Sequence, residues 1–425
     1  MRQFFPIPVA CRRARRAAAV LVAVGLAAVA RAAEPATVRV SWLNPTTWPV
    51  VPVPNISVDP NSGQTFGLIP TRLLHDARGR IVRIIAPDIV RNSAFGWGGH
   101  LRVLDFPSAD TQWSVVAGLM QHVESRFDAL YESGLLRRRR WSQSAQLYYS
   151  RNGSARFFGI GNDSPYAQQS VYTDQHMQLR ARLGWNLTHA WQFAGVLIVQ
   201  KVRVSAGHLP GIASITRRFP HVVGMGTTHE VLARFCLTYD TLDNITLPSR
   251  GVAIVAYVGA AGRYGAPDAS LFSEIGTDGR FYWSPTGSLT IAAHFDLRYM
   301  PSLHAVPFWA LSNVGGDRST IGGPQTLRGF GEARYYGRDA FSVNVELRQK
   351  VFTLNTLGTR IVLQIAPFYD AGRVFEHSST FPIDQLHNVL GVGFRGIAAP
   401  FIVGYVDVGY GSEGAAVFTG INYPF

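Results

Sequence analysis

Between Phe341 and Arg348 apolar and polar residues alternate without a break. Phe341, Val343, Val345 and Leu347 point one way, and Ser342, Asn344, Glu346 and Arg348 point the other. A period of two puts each set on one face of a β-strand. The same pattern returns over 289–299, where Leu289, Ile291, Phe295, Leu297 and Tyr299 oppose Thr290, His294, Asp296 and Arg298. It returns again over 178–187 and 231–240. These runs are about 10 residues or longer, the length of a tilted membrane strand, whereas ordinary strands are nearer 5–6. Their polar faces carry many charges, as a wet lumen does, and Trp185, Trp191, Trp283 and Tyr299 cluster near run ends, as aromatics do at a membrane interface. A sheet in lipid cannot leave an edge unpaired, so the strands must close.

The pattern therefore predicts an all-β fold, a sixteen-stranded antiparallel transmembrane β-barrel. Strands are expected near 415–425, 401–411, 387–397, 360–371, 340–352 and 304–314, then 288–300, 251–261, 230–241, 191–204, 174–188 and 141–151. Residues 63–133 supply about four more. An even count puts both termini in the periplasm and makes 315–339 a long extracellular loop.

Composition changes the picture at the N-terminus. Arg12, Arg13, Arg15 and Arg16 precede an apolar run from Ala17 to Ala30, and Ala30-Arg31-Ala32 is a small-x-small site. Residues 1–32 read as a signal peptide, too short in its apolar part to span a bilayer. Removing them removes six arginines and takes the net charge from +13 to about +7. The basic balance thus owes much to the leader, and nucleic acid is not the partner it implies. Cys236 is then the one cysteine left, so no internal disulfide is expected. Residues 33–62, with Pro35, Pro45, Pro49, Pro52, Pro54 and Pro60, read as a proline-rich periplasmic segment or plug. The barrel is expected over 63–425.

The expected long loop contains Gly322-Gly323-Pro324-Gln325-Thr326-Leu327-Arg328-Gly329-Phe330. It resembles the Arg-Gly-Phe/Tyr loop of the BamA/TamA superfamily, the bacterial surface antigen barrels. Glu346-Leu347-Arg348 and Phe368-Tyr369-Asp370-Ala371-Gly372 resemble the acidic motifs of that family's two following strands, and Gly391, Gly393 and Arg395 resemble its next strand. The resemblance implies that the loop folds into the barrel and that Arg328, Gly329 and Phe330 lock there against Glu346 and Asp370. Alternation independently turns both acids inward, and a guanidinium can pair with them in bidentate fashion. The resemblance is dense over 157–425. It departs from the family pattern ahead of the barrel, where some thirty residues replace the periplasmic POTRA domains.

The family implies insertion or translocation of protein or lipid at the Gram-negative outer membrane, through a lateral seam between first and last strands. Pro70, inside the expected first strand 66–75, and Pro424, in the last, would thin that seam, since proline donates no ladder hydrogen bond. The alternative is a passive pore or structural surface barrel. Ile421, Tyr423 and Phe425 share a parity and resemble the C-terminal signal by which assembly machinery recognises such barrels, so they are expected to face lipid. The expected partners are outer-membrane lipids including lipopolysaccharide, that assembly machinery, and a periplasmic protein or lipoprotein, with the barrel itself a monomer.

Enzymatic chemistry finds no support in the sequence. Ser288, His294 and Asp296 share a face, but charged lumen residues in register are ordinary in a barrel, and no nucleophile-elbow, zinc-protease or phosphate-loop motif occurs. Catalytic, metal and cofactor-binding residues are expected to be none.

Overall fold

A computed structural model describes residues 51–77, 81–264, 271–356, 359–376, 385–398, 402–421, 423 and 425. The proposed signal peptide, most of the proline-rich segment, and Pro424 lie outside them. The strands are β1 (Val51–Asp59), β2 (Gly63–His75), β3 in two pieces (Ile81–Pro87 and Ile89–Asn92), β4 (Gly96–Ser108), β5 (Thr111–Met120), β6 (Glu124–Ser133), β7 (Trp141–Phe157), β8 (Ser170–Asn186) and β9 (Trp191–Ala206). There follow β10 (Gly226–Asp240), β11 (Gly251–Tyr264), β12 (Leu271–Trp283), β13 (Leu289–Tyr299), β14 (Asp339–Thr356), β15 (Thr359–Phe375), β16 (His387–Ala398), β17 (Ile402–Gly411) and β18 (Gly414–Ile421). Each pairs antiparallel with its neighbour, and β1 pairs β18 to close the ring.

The barrel thus has eighteen strands, and the expected sixteen is corrected. Residues 304–314 form no barrel strand; they lie inside a loop that runs from 300 to 338. In their place β12 crosses the membrane. Its inward Glu274, Asp278 and Arg280 and its glycines Gly276 and Gly279 blur the apolar alternation. Residues 63–133 hold five strands instead of four, because turns of two or three residues separate the last four of them. One further strand, β1, precedes residue 63, within the segment expected to be a tether.

Parity sorts the faces. Phe235 is 56% exposed on the lipid side of β10, and Leu119 is 70% exposed on that of β5. Glu346, Asp370 and Asp407 are wholly buried on the lumen side. The longest connections, 158–169, 207–225 and 300–338, all lie at the rim opposite the chain ends, and none at the rim that holds those ends exceeds ten residues. Short turns mark the periplasmic rim. Trp141, Trp185, Trp191 and Trp283 lie exposed near it, with the Arg140 guanidinium 5.9 Å from the Trp185 ring.

Pro70 explains the split in β3. The β1–β2 ladder runs unbroken through Pro52↔Pro70 and Pro54↔Leu68. A continuous ladder through three prolines requires that their nitrogens face away from it. Pro70 therefore faces β3, and pairing there stops between Leu68↔Ile89 and Arg72↔Ile85. Asp88, in the gap, is buried and accepts bonds from the His100 amide at 2.6 Å and Arg102 Nη1 at 2.5 Å.

The outer end of the lumen is filled by loops. Phe157, Tyr172, Val202, Ile215, Phe308 and Tyr336 form one buried apolar cluster there. Short strands at Ser312–Val314, Pro324–Gln325 and Tyr335–Gly337 give the long loop a small sheet of its own.

Candidate functional site

The long loop descends into the lumen and places Arg328 against the inner wall of β14–β17. Arg328 has no solvent exposure. Its Nε and Nη2 donate to the two oxygens of Asp370 at 2.8 and 2.7 Å, a bidentate pair. Its backbone N–H donates to the same carboxylate at 3.0 Å. Nη1 bonds Glu346, and Asp407 at 3.1 Å. The guanidinium carbon lies 3.6 Å from the centre of the Phe368 ring.

Two wall arginines complete the network. Arg348 Nε donates to Glu346 at 2.7 Å. Arg395 bonds Asp407 and reaches Glu346 at 3.1 Å. Three guanidiniums thus face three carboxylates, all buried, so no net charge is left in the cluster. Asp407 is the member that sequence reasoning missed. The signal was available, since Tyr405, Asp407 and Gly409 share the inward parity of β17.

Two glycines let the loop come this close. A side chain at Gly409 would meet the Arg328 carbonyl oxygen at 2.2 Å, and one at Gly329 would meet Val389 at 2.7 Å and the Gly411 nitrogen at 2.8 Å. Gly329 serves close approach and not a left-handed turn. Phe330 is 1% exposed and packs edge-on to Tyr335 and His387.

The loop is tied elsewhere too. Gln325 and Ser319 donate to Asp296 at 2.9 and 3.1 Å, and Arg234 Nη1 donates to the Ile321 carbonyl at 2.9 Å. Arg334 binds Glu413 and Ser164 across the outer rim. Burial pushes the loop carboxyl of Asp317 above its ordinary range, and the Tyr405 hydroxyl bonded to it works against that.

Asp278, His294 and Asp296 come within ligand distance of one another. Their donor atoms are already committed: His294 bonds Asp278 at 2.9 Å and Asn344 at 2.8 Å, and Asp296 holds the loop. Ser288 sits in the turn before β13, bonded to Thr286, and is not brought to His294. Cys236 is buried beside Ala194 and Tyr257.

The C-terminus departs from expectation. Tyr423 and Phe425 turn into the lumen instead of facing lipid. The strand ends at Ile421, and strand parity has no hold on the residues beyond it. The Arg348 guanidinium lies 3.8 Å from the Tyr423 ring, whose hydroxyl donates to Gln364 at 3.1 Å. Phe425 is 5% exposed, stacks on His294, and accepts a bond from the Tyr282 hydroxyl at 3.0 Å. Inward cations and a buried hydroxyl thus offer these rings what lipid cannot. The side chain of Ile421 lies outside the described residues.

The closure is thin. Among the described residues β1 and β18 share one ladder pair, Val58↔Val417. Pro70, expected at this closure, lies instead in the second strand. Pro52 and Pro54 of β1 take its place, because their nitrogens turn away from β2 and so toward β18. Beside the seam lies a cavity of about 1880 Å³. It is lined by residues of β1–β6, from Glu124 and Arg126 at the outer end of β6 to Phe106 and Thr111 at the periplasmic turn, by the turn around Leu242–Thr246, by Arg395 and Tyr405, and by Tyr423 and Phe425.

Residues 112–400 match the Omp85 superfamily domain. No curated protein sequence matches the chain. Among solved structures it is similar to BamA from Haemophilus ducreyi lacking POTRA domains 1–3, at 12% identity and a TM-score of 0.51, over 90% of this chain and 77% of that one. It is also similar to CdiB from Escherichia coli, at 12% identity and a TM-score of 0.43, over 88% of this chain and 62% of that one. CdiB from Acinetobacter baumannii matches at 11% and 0.43, over 88% and 59%. With its inward arginine loop and a superfamily match over most of its length, the chain belongs to the Omp85 superfamily of outer-membrane barrels.

Proposed function

We propose that this barrel inserts or translocates cargo at the outer membrane and that its cargo passes the seam between β1 and β18. The observation that carries this reading is that the described residues share a single ladder pair at the closure, beside a cavity on its lumen side. Every other neighbouring pair of strands in the ring shares a ladder of several residues. The inward loop acts in this reading as a lock that holds β14–β17 rigid, one strand away from the seam that can part. Arg328, Gly329 and Phe330 of the loop, with Glu346 and Asp370 of the wall, are its working parts. A periplasmic or lipoprotein partner would deliver cargo to the near rim.

A passive pore fits less well. The apolar cluster of Phe157, Tyr172, Phe308 and Tyr336 and the folded loop occupy the outer end of the lumen. Open lumen space lies instead on the periplasmic side and next to the seam.

The test is a disulfide across the closure. Ser57 and Phe418 are the next pair in the register beyond Val58↔Val417. Ser57→Cys with Phe418→Cys, in a Cys236→Ala background, should abolish complementation of a deletion strain and recover it on reduction. Full complementation by the oxidised barrel would refute passage through the seam.

A further inference from the structure

We propose that the open half of the seam, with the inner wall beside it, binds an acyl chain of a phospholipid drawn from the periplasmic leaflet. The proposal rests on the seam reading above and names the class of cargo.

The wall is the first observation. Leu104 and Phe106 share parity with the inward His100 and Arg102 of β4, opposite to Trp97 and Leu101 on the lipid face. They pack with Ile69 of β2 and with Ile84 and Ala86 of β3 in one apolar cluster. A water-filled barrel carries polar residues on its inner face. An apolar patch that borders a cavity marks a binding surface for apolar matter.

Continuity with the bilayer is the second. The cavity that touches Leu104 and Phe106 also touches Ser57 of β1 and Thr419 and Gly420 of β18. It reaches Ile56 as well, which stands 43% exposed on the lipid side of β1. One space is therefore bounded by the inner wall, the seam and the lipid face. Its apolar wall is at the periplasmic end, since Leu104 and Phe106 lie within four residues of the end of β4 at Ser108, and this selects the periplasmic leaflet as the source.

The edge chemistry is the third, and it separates lipid from polypeptide. A strand added at β1 would be held by main-chain hydrogen bonds to the exposed edge. Pro52 and Pro54 remove two successive donors from that edge. An acyl chain asks for no donors. The same prolines that keep β18 from zipping onto β1 make this half of the edge a poor template for any other strand.

The full chain would be reconstituted in phosphatidylethanolamine–phosphatidylglycerol bilayers doped with a phosphatidylcholine that carries a diazirine at the end of one acyl chain. After irradiation, adducts are mapped by mass spectrometry. We expect adducts on inward residues within 81–86 and 104–106 in addition to the lipid face. Leu104→Arg with Phe106→Arg should lower the inward adducts at least fivefold and leave those around Phe235 unchanged, which reports an intact barrel. Pro52→Val with Pro54→Val, which restores the two donors, should lower them severalfold without touching the wall. Adducts confined to lipid-facing residues in the parent barrel would overturn the proposal. If the oxidised Ser57–Phe418 cysteine pair then still abolished complementation, passage through the seam would stand and its cargo would be a polypeptide.

Discussion

The two walls that flank the seam obey one parity rule and meet different surroundings. The wall of β14–β17 turns Glu346, Asp370 and Asp407 inward to Arg328 and completes the network with its own Arg348 and Arg395. The wall of β2–β4 turns Ile69, Ile84, Ala86, Leu104 and Phe106 inward beside an open cavity. The first wall meets a folded loop at each of its three carboxylates. The second meets a seam with one ladder pair. Alternation says which residues enter a lumen; what they meet there decides whether a wall is rigid or available.

The comparison can be broken most sharply at Arg328. Arg328→Ala leaves three buried carboxylates short of a partner and should cost about 3–5 kcal/mol. Urea unfolding in bilayers would show it as a lowered midpoint, and a midpoint within error of the parent would mean that the loop does not brace this wall. Asp407→Asn keeps shape but removes one acceptor charge shared by Arg328 and Arg395, and should cost about 1–3 kcal/mol in the same assay. On the other wall Phe106→Ala should cost only about 1 kcal/mol, because a half-buried ring loses less apolar contact than a core ring. A cost equal to that of Arg328→Ala would erase the distinction between the walls. Smallest in stability is Pro54→Ala. One new hydrogen bond contributes about 0.5–1.5 kcal/mol, and the loosened unfolded chain offsets about 0.4–1 kcal/mol of it. Its signature is local: amide exchange across 415–421 should slow while the rest of the barrel is unaffected.

Much of the locked wall was legible in the sequence. Ser342, Asn344 and Glu346 share a parity, as do Arg360, Gln364 and Asp370, so the direction of both acids came from strand periodicity alone. Asp407 was overlooked because β17 is rich in glycine and valine and its polar face shows one charge. The strand count failed where periodicity is weakest. Residues 304–314 are apolar enough for a strand but pack inside the outer cap, where Phe308 sits among Phe157, Tyr172 and Tyr336. Leu271–Trp283 is a membrane strand disguised by its charges and glycines. The seam was misplaced for a different reason. Proline shows that an edge exists but not which neighbour it faces, and only the register Pro52↔Pro70 assigns the sides.

The seat of Phe425 bears on the order in which the barrel is made. Its carbonyl oxygen is held by Tyr282, 143 positions earlier in the chain, and its ring by His294. Phe425 follows every strand in the chain, yet it comes to rest on a surface built by β12 and β13. Contacts of such long separation form late, after the loops between them have closed. Phe425 must enter while the ring is still open or slip in through the periplasmic mouth. Any residues placed directly after it would have to follow it inside.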